Sequence, residues 1–189
     1  MAQRRRGAAL EKALLDAAWD ELAERGYARF TMDAVVKRAG TSPPVLYRRW
    51  SHRDELARAA VAHALEEARV ATPDTGSLRG DVLALMREIG TANARLVILM
   101  YAHLAGYYQE TGTNPGDLLD AARGKSADAL AEVYDRAVAR GEARAERLTG
   151  RIRSLPFDLL RQEILATLAP VPDDVVEEIV DTIFLPLVR

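Results

Sequence analysis

Apolar residues recur along this chain with the 3.6-residue period of a helix, and no stretch alternates in the manner of a half-buried strand. Leu10, Leu14, Ala18 and Leu22 fall four apart, with Ala13 and Ala17 widening the stripe. This predicts a helix over about 7–25, ended by Gly26. Thr31 is placed to cap the next helix, and Phe30 with Val35 can staple its entry. Met32, Val35, Val36 and Ala39 form one apolar face, and Gly40 closes the element. A third helix is expected over about 43–50, with Ser42 as cap and Pro43 at the first position, where a missing N–H costs nothing; Leu46 and Trp50 point inward. Ser51, paired with Asp54 in a capping box, opens a fourth helix running to about residue 70. After a polar loop at 72–77, helices are expected at about 81–92, 93–109, 117–140, 155–169 and 173–187. Residues 96–100 are apolar on every side and predict a central helix.

The length of 189 residues suits one core, or a small head on a larger body, and 49% apolar with 29% charged residues is ordinary for a globular chain. There is no cysteine, which excludes disulfides, thiolate nucleophiles and cysteine metal sites. The basic start, Arg4-Arg5-Arg6, is not followed by a signal-type apolar segment, and residues 96–105 are too short to span a bilayer, so a cytoplasmic location with no membrane partner is expected. The net charge of −2 hides an asymmetry. Residues 1–58 carry 12 Lys/Arg against 8 Asp/Glu, and the remainder 14 against 20.

Two short helices joined by Gly40-Thr41-Ser42 have helix-turn-helix spacing, a unit that lays the start of its second helix in a major groove. With Leu46 and Trp50 turned inward, Tyr47, Arg48 and Arg49 are left for the outer and flanking faces, beside a Pro43-Pro44 tip. A guanidinium can fork onto guanine or phosphate, a tyrosine hydroxyl can reach phosphate, and the capped starts at Thr31 and Ser51 offer backbone N–H groups. On the residues alone, a second reading stays open: a helical interaction module whose head meets a protein. An enzyme lacks any convergent acid–base or nucleophile set. His52, His63 and His103 form no helical metal pair, so no cofactor and no metal are expected.

The stretch Glu24-Arg25-Gly26-Tyr27, Phe30-Thr31-Met32-Asp33-Ala34-Val35-Val36, Ala39-Gly40-Thr41-Ser42, Val45-Leu46-Tyr47-Arg48-Arg49-Trp50 and Arg53-Asp54-Glu55-Leu56 resembles the N-terminal domain of the TetR family of bacterial transcriptional regulators. Leu155-Pro156-Phe157-Asp158-Leu159-Leu160 resembles the dimerising part of one C-terminal subfamily. The resemblance implies an all-α fold of about nine helices. A three-helix DNA-binding head (1–53) would precede a larger helical bundle (54–189) for effector binding and dimerisation. It implies a homodimer on a pseudo-palindromic double-stranded DNA operator, usually repressing, and released by a small-molecule effector. By position, Thr31 and Tyr47 would touch phosphate, Ser42, Pro43, Pro44, Val45 and Arg48 would face the groove, and Arg53 would lie near the backbone where the family has a lysine. The double proline departs from the family's usual polar tip and suits thymine methyls better than hydrogen bonding.

By the same analogy, Met86, Asn93, Met100, Tyr101, His103, Leu104, Tyr107, Tyr108 and Tyr134 are candidates to line the effector pocket. The last two helices carry apolar faces, Phe157, Leu160, Ile164 and Leu168, then Val176, Ile179, Val180, Ile183 and Leu187, which must be buried in the chain's own core or against a second copy.

Overall fold

Every regular element in the computed structural model is helical among the described residues, which are 7–68, 70–91, 94–118 and 126–189, the side chains of 126–129 excepted. The expected all-α class is therefore observed. The chain folds as two separately packed units, formed by the described parts of Met1–Glu67 with Leu99–Ala122, and of Ala68–Ile98 with Arg123–Arg189. The first unit thus extends past residue 53 and recruits a segment from much later in the chain.

The first unit contains α1 (Ala8–Arg25), α2 (Met32–Ala39), α3 (Pro43–Tyr47) and α4 (Arg53–Glu67), then a π-helical turn (Leu99–His103) and α7 (Ala105–Thr111). Helix α1 packs on α2 and α4, so the stripe Leu14, Ala18 and Leu22 is fully buried with Phe30, Val35, Leu46 and Leu56. Burying one such side chain stabilises by about 1.5–3 kcal/mol. A polar clamp adds to this contact. Arg38 on α2 donates from Nε to Glu21 at 2.8 Å and pairs through its other nitrogens with Glu24 on α1. The Ser51 N–H is taken by Glu55 at 2.9 Å, not by Asp54, so the expected box closes one residue later.

The second unit contains α5 (Leu78–Thr91), α6 (Ala94–Ile98), α8 (Ser126–Ala139), α9 (Gly150–Thr167) and α10 (Asp173–Glu178), the last continuing through a π-helical stretch (Ile179–Phe184) into α11 (Leu185–Val188). Its core gathers Val82, Met86, Val133, Tyr134, Leu160, Ile164, Val180 and Phe184. Gly90 lets α5 approach α9: a β-carbon there would lie 3.3 Å from Leu160 Cδ1 and 3.7 Å from Val171. Asp81, fully buried, accepts hydrogen bonds from the Thr75 N–H (2.7 Å) and hydroxyl (2.8 Å), pinning the 72–77 loop, while Arg136 and Arg140 lie 3.5 and 3.6 Å from its other oxygen.

Three helices expected after residue 90 come out differently. The span 93–109 is not one helix. After α6 the register widens to π bonding, seen in Leu104 N–H to Leu99 C=O at 3.2 Å, and Leu104 leaves helical geometry before α7. The Tyr108 hydroxyl donates to the Met100 carbonyl at 2.6 Å, holding that widened turn. Helix α9 starts at Gly150, five residues before the expected 155, because Thr149 caps it; Pro156 is then an interior residue whose missing N–H forfeits one helical bond. The final helix also widens just before Pro186, which has no N–H to continue the ladder.

Candidate nucleic-acid interface

The site begins at Gly40. Its φ of 63° is the left-handed conformation that ends α2, and the N–H groups of Gly40 and Thr41 return to the Lys37 and Val36 carbonyls at 3.3 and 3.2 Å. The chain then turns into α3 within two residues. Ser42 sits at the cap, yet its hydroxyl makes no capping bond. The reason is local. Pro44 has no N–H to offer and the Val45 N–H goes to the Ser42 carbonyl at 3.0 Å, so the Ser42 hydroxyl, exposed, is left without a capping donor. Helix α3 ends at Tyr47, three residues short of the expected 50; Arg48, Arg49 and Trp50 follow in a tight turn bonded back to Pro44 and Leu46.

Leu46 alone of α3 is fully buried, and Trp50 is half-buried, so the inward pair is as expected. Pro43, Pro44, Tyr47 and Arg48 are exposed, Tyr47 to 47%, and Val45 is half-buried. Arg49 is half-buried and its Nη1 reaches the Val45 carbonyl at 3.4 Å, which folds it back along α3. Thr31 is exposed and its hydroxyl oxygen accepts from the Ala34 N–H at 3.2 Å. That bond uses the oxygen's lone pair and leaves the hydroxyl proton free to donate.

The structure sorts the basic residues of this region. Arg38 is spent on the α1 carboxylates, whose hydrogen bonds raise its pKa further. Arg53, at the start of α4, is held by Glu110 of α7, with Nη2 at 2.6 and 2.7 Å from the two carboxylate oxygens. Its guanidinium also lies 4.6 Å from the centre of the Tyr27 ring, a cation–π contact. Lys37, Arg48 and Arg49 make no ion pair among the described residues. Lys37, exposed on the last turn of α2, is not among the expected contacts; a lysine two residues before the helix end has no signal in sequence that separates it from any solvated lysine.

The expected pocket residues do not gather in one unit. Met86 and Tyr134 are buried in the second unit, where the Tyr134 hydroxyl donates to the Arg153 carbonyl at 2.7 Å and burial raises its pKa. Met100, Leu104 and Tyr107 are buried in the first unit, with Tyr101, His103 and Tyr108 half-buried there. Asn93 lies outside the described residues. A cleft of about 460 Å³ does exist in the second unit, lined by Ser77, Arg79, Glu142, Arg144, Leu185 and Arg189 among others, and none of the expected residues line it. Its walls come from separated segments, which no local pattern announces. Of the expected dimer residues, Leu160, Ile164, Val176, Ile179 and Val180 are buried in the chain's own core, and Phe157 packs partly against it. Leu168 (60%), Ile183 (38%) and Leu187 (42%) are exposed. Among the described residues no helix is long and apolar enough to cross a membrane, and no cluster of three metal-ligating side chains occurs.

A pair of short helices turned at Gly40, the second followed by Arg48 and Arg49 with no ion pair among the described residues, is a helix-turn-helix in its class. Residues 14–60 match the family described as bacterial regulatory proteins, tetR family, and residues 72–183 match the tetracyclin repressor-like C-terminal domain. A DNA-binding transcriptional repressor, TetR, of Mycobacteroides abscessus is 31% identical over 187 residues, covering 97% of this chain and 96% of that one. The fold is shared with a TetR transcriptional regulator from Agrobacterium tumefaciens (TM-score 0.72, 20% identity, 96% and 95% of the chains) and with the flavonoid-responsive regulator FrrA (TM-score 0.65, 21% identity, 95% and 97%). The chain belongs to the TetR family and is a transcriptional regulator of that family.

Proposed function

We propose that this regulator represses transcription by binding, as a homodimer, a pseudo-palindromic operator, and that a small-molecule effector releases it. One observation carries the DNA-facing assignment: Tyr47 and Arg48 are exposed and Arg48 has no carboxylate partner among the described residues, on a segment whose only fully buried side chain is Leu46. Charge left uncommitted by the fold is free to replace counterions on a duplex. In this reading Arg48 reads a base edge, and Tyr47 and the Thr31 and Ser42 hydroxyls donate to phosphate. Val45, Pro43 and Pro44 supply apolar contact, and Arg49 and Arg53 serve the backbone. The repressor reading is supported by the named repressor relative.

The homodimer reading is supported by Leu168 at the end of α9 and Ile183 and Leu187 on the last helical stretch, which stay exposed, and by Phe157, which is only partly buried. The effector reading is supported by a buried polar atom, His103 Nδ1, that has no hydrogen-bond partner among the described residues. Such an atom is costly to leave bare and suits an anchor for a bound molecule. The test is selection of a duplex from a random pool by the parent protein, followed by anisotropy titrations. Recovery of a two-fold symmetric sequence, and its loss of affinity with Arg48→Ala and Tyr47→Ala while the dimer persists, is the expected result. Parent-like binding by both variants overturns this assignment of α3.

A further inference from the structure

We infer that Glu110 is an inhibitory carboxylate that holds Arg53 away from DNA phosphate, so that the position of α7 sets the charge presented at the start of α4. The inference rests on the reading above that Arg53 serves the DNA backbone. Arg53 follows α3 by only a few residues and stands at the head of α4. A guanidinium there would normally add one positive charge to the surface that carries Arg48 and Arg49. Both oxygens of Glu110 instead converge on its Nη2, at 2.6 and 2.7 Å, and Tyr27 donates its hydroxyl to the same carboxylate at 3.3 Å while its ring lies under the guanidinium. Tyr27 in turn is buried, edge-on to Tyr107 of α7 at 5.3 Å between ring centres, so ring and carboxylate are carried by a packed aromatic group.

The pair is not buried. Arg53 and Glu110 side chains are 38% and 53% exposed, so solvent screens the contact and it breaks easily. A phosphate can therefore compete for Nη2 of Arg53, but only by displacing Glu110 from it. Even then, the freed carboxylate stands beside the arriving phosphate as a like charge. Competition and repulsion act in the same direction. The opposing effect, loss of an orienting contact, is smaller because the Tyr27 ring still holds the guanidinium plane.

The test uses the full chain and the duplex that the parent enriches from a random pool, with a scrambled duplex beside it. Dissociation constants are measured against salt for the parent, Glu110→Gln, Arg53→Ala and the double variant, with thermal melts to establish that each is folded. Glu110→Gln frees one charge per protomer, two per dimer, to displace counterions, so the log–log salt dependence should steepen by about 1.8, and affinity near 0.1 M salt should rise about sixtyfold on both duplexes. Arg53→Ala should weaken binding and flatten the slope, and the double variant should match Arg53→Ala. Equal or weaker binding by Glu110→Gln, with Arg53→Ala still weakened, overturns the inhibitory role and leaves the phosphate contact standing. Parent-like binding by Arg53→Ala overturns both. Equal tightening in Glu110→Gln and the double variant shows a carboxylate acting without Arg53, and overturns the latch.

Discussion

Arginines do opposite work in two regions of this molecule. Around Asp81, Arg136 and Arg140 are drawn toward a fully buried carboxylate that also fastens the Thr75 loop. Around α3, Arg48 and Arg49 meet no carboxylate among the described residues, and the fold is held there by Leu46 beneath them. Residue type is the same in both places. What differs is whether an acid arrives from a distant part of the chain, and that decides whether a guanidinium is structural or remains available to a ligand. Arg38 and Arg53 show the same rule inside the first unit, where Glu21, Glu24 and Glu110 have taken them up.

The largest effect should come from Asp81→Ala. Removing this buried carboxylate forfeits its two hydrogen bonds from Thr75, about 1.5–3 kcal/mol for each, while Glu132 and Glu142 still pair Arg136 and Arg140. Urea denaturation should record this loss, and a change under 1 kcal/mol would show that the cluster is ornamental. The same carboxylate predicts an acid limit. Burial by itself would push Asp81 up, but the Thr75 hydrogen bonds and the Arg136 charge hold it below the usual carboxylate range. Asp16 is likewise lowered, burial being outweighed by hydrogen bonds from His63 and Lys12. A depressed carboxyl contributes stability that is present above its unfolded pKa of about 3.9 and is lost as pH falls through the lower folded value. The urea midpoint should accordingly drop below about pH 4, and drop less in Asp81→Asn.

Within the recognition segment, neighbouring residues should separate cleanly. Leu46→Ala removes the one buried side chain of α3 and should cost about 3 kcal/mol in stability. Arg48→Ala should leave the melting curve in place and weaken the selected duplex about tenfold to a hundredfold, with relaxed preference at one base position. If Arg48→Ala lowers stability instead, the division between structural and free arginines fails. The smallest effect concerns Leu168, a non-glycine residue at φ 52° with its side chain 60% exposed. Leu168→Gly should relieve the left-handed strain and raise stability by up to about 1 kcal/mol. In sedimentation it should also weaken self-association if Leu168 is kept for a second copy. Unchanged sedimentation removes Leu168 from the proposed interface.

Much of the first unit could be read from the chain. Gly26, Thr31, Gly40 and Ser42 punctuate helices by local rules, and the spacing of Leu14, Ala18, Leu22, Val35 and Leu46 names the side that is buried, because both depend on contacts within a few residues. The exposed group at Pro43, Pro44, Tyr47 and Arg48 follows as the complement of that buried side. The π-helical turns at 99–103 and 179–184 were not legible, since a register shift arises from packing and from a hydroxyl such as that of Tyr108, not from apolar period. The early start of α9 was obscured by Pro156, which reads as a helix start and sits inside one.

What the sequence by itself determined is the helical class, the turn at Gly40 and the face of α3 that stays exposed. Only the tertiary structure decided which cations stay free. Arg38 and Arg53 look no different from Arg48 in one dimension, and the acids that claim them lie 14 to 17 and 57 residues away. It also decided that Leu160, Ile164, Val176, Ile179 and Val180 go to the chain's own core. An apolar stripe records that a face must be covered, whereas what covers it depends on which surface the folded chain brings within van der Waals reach.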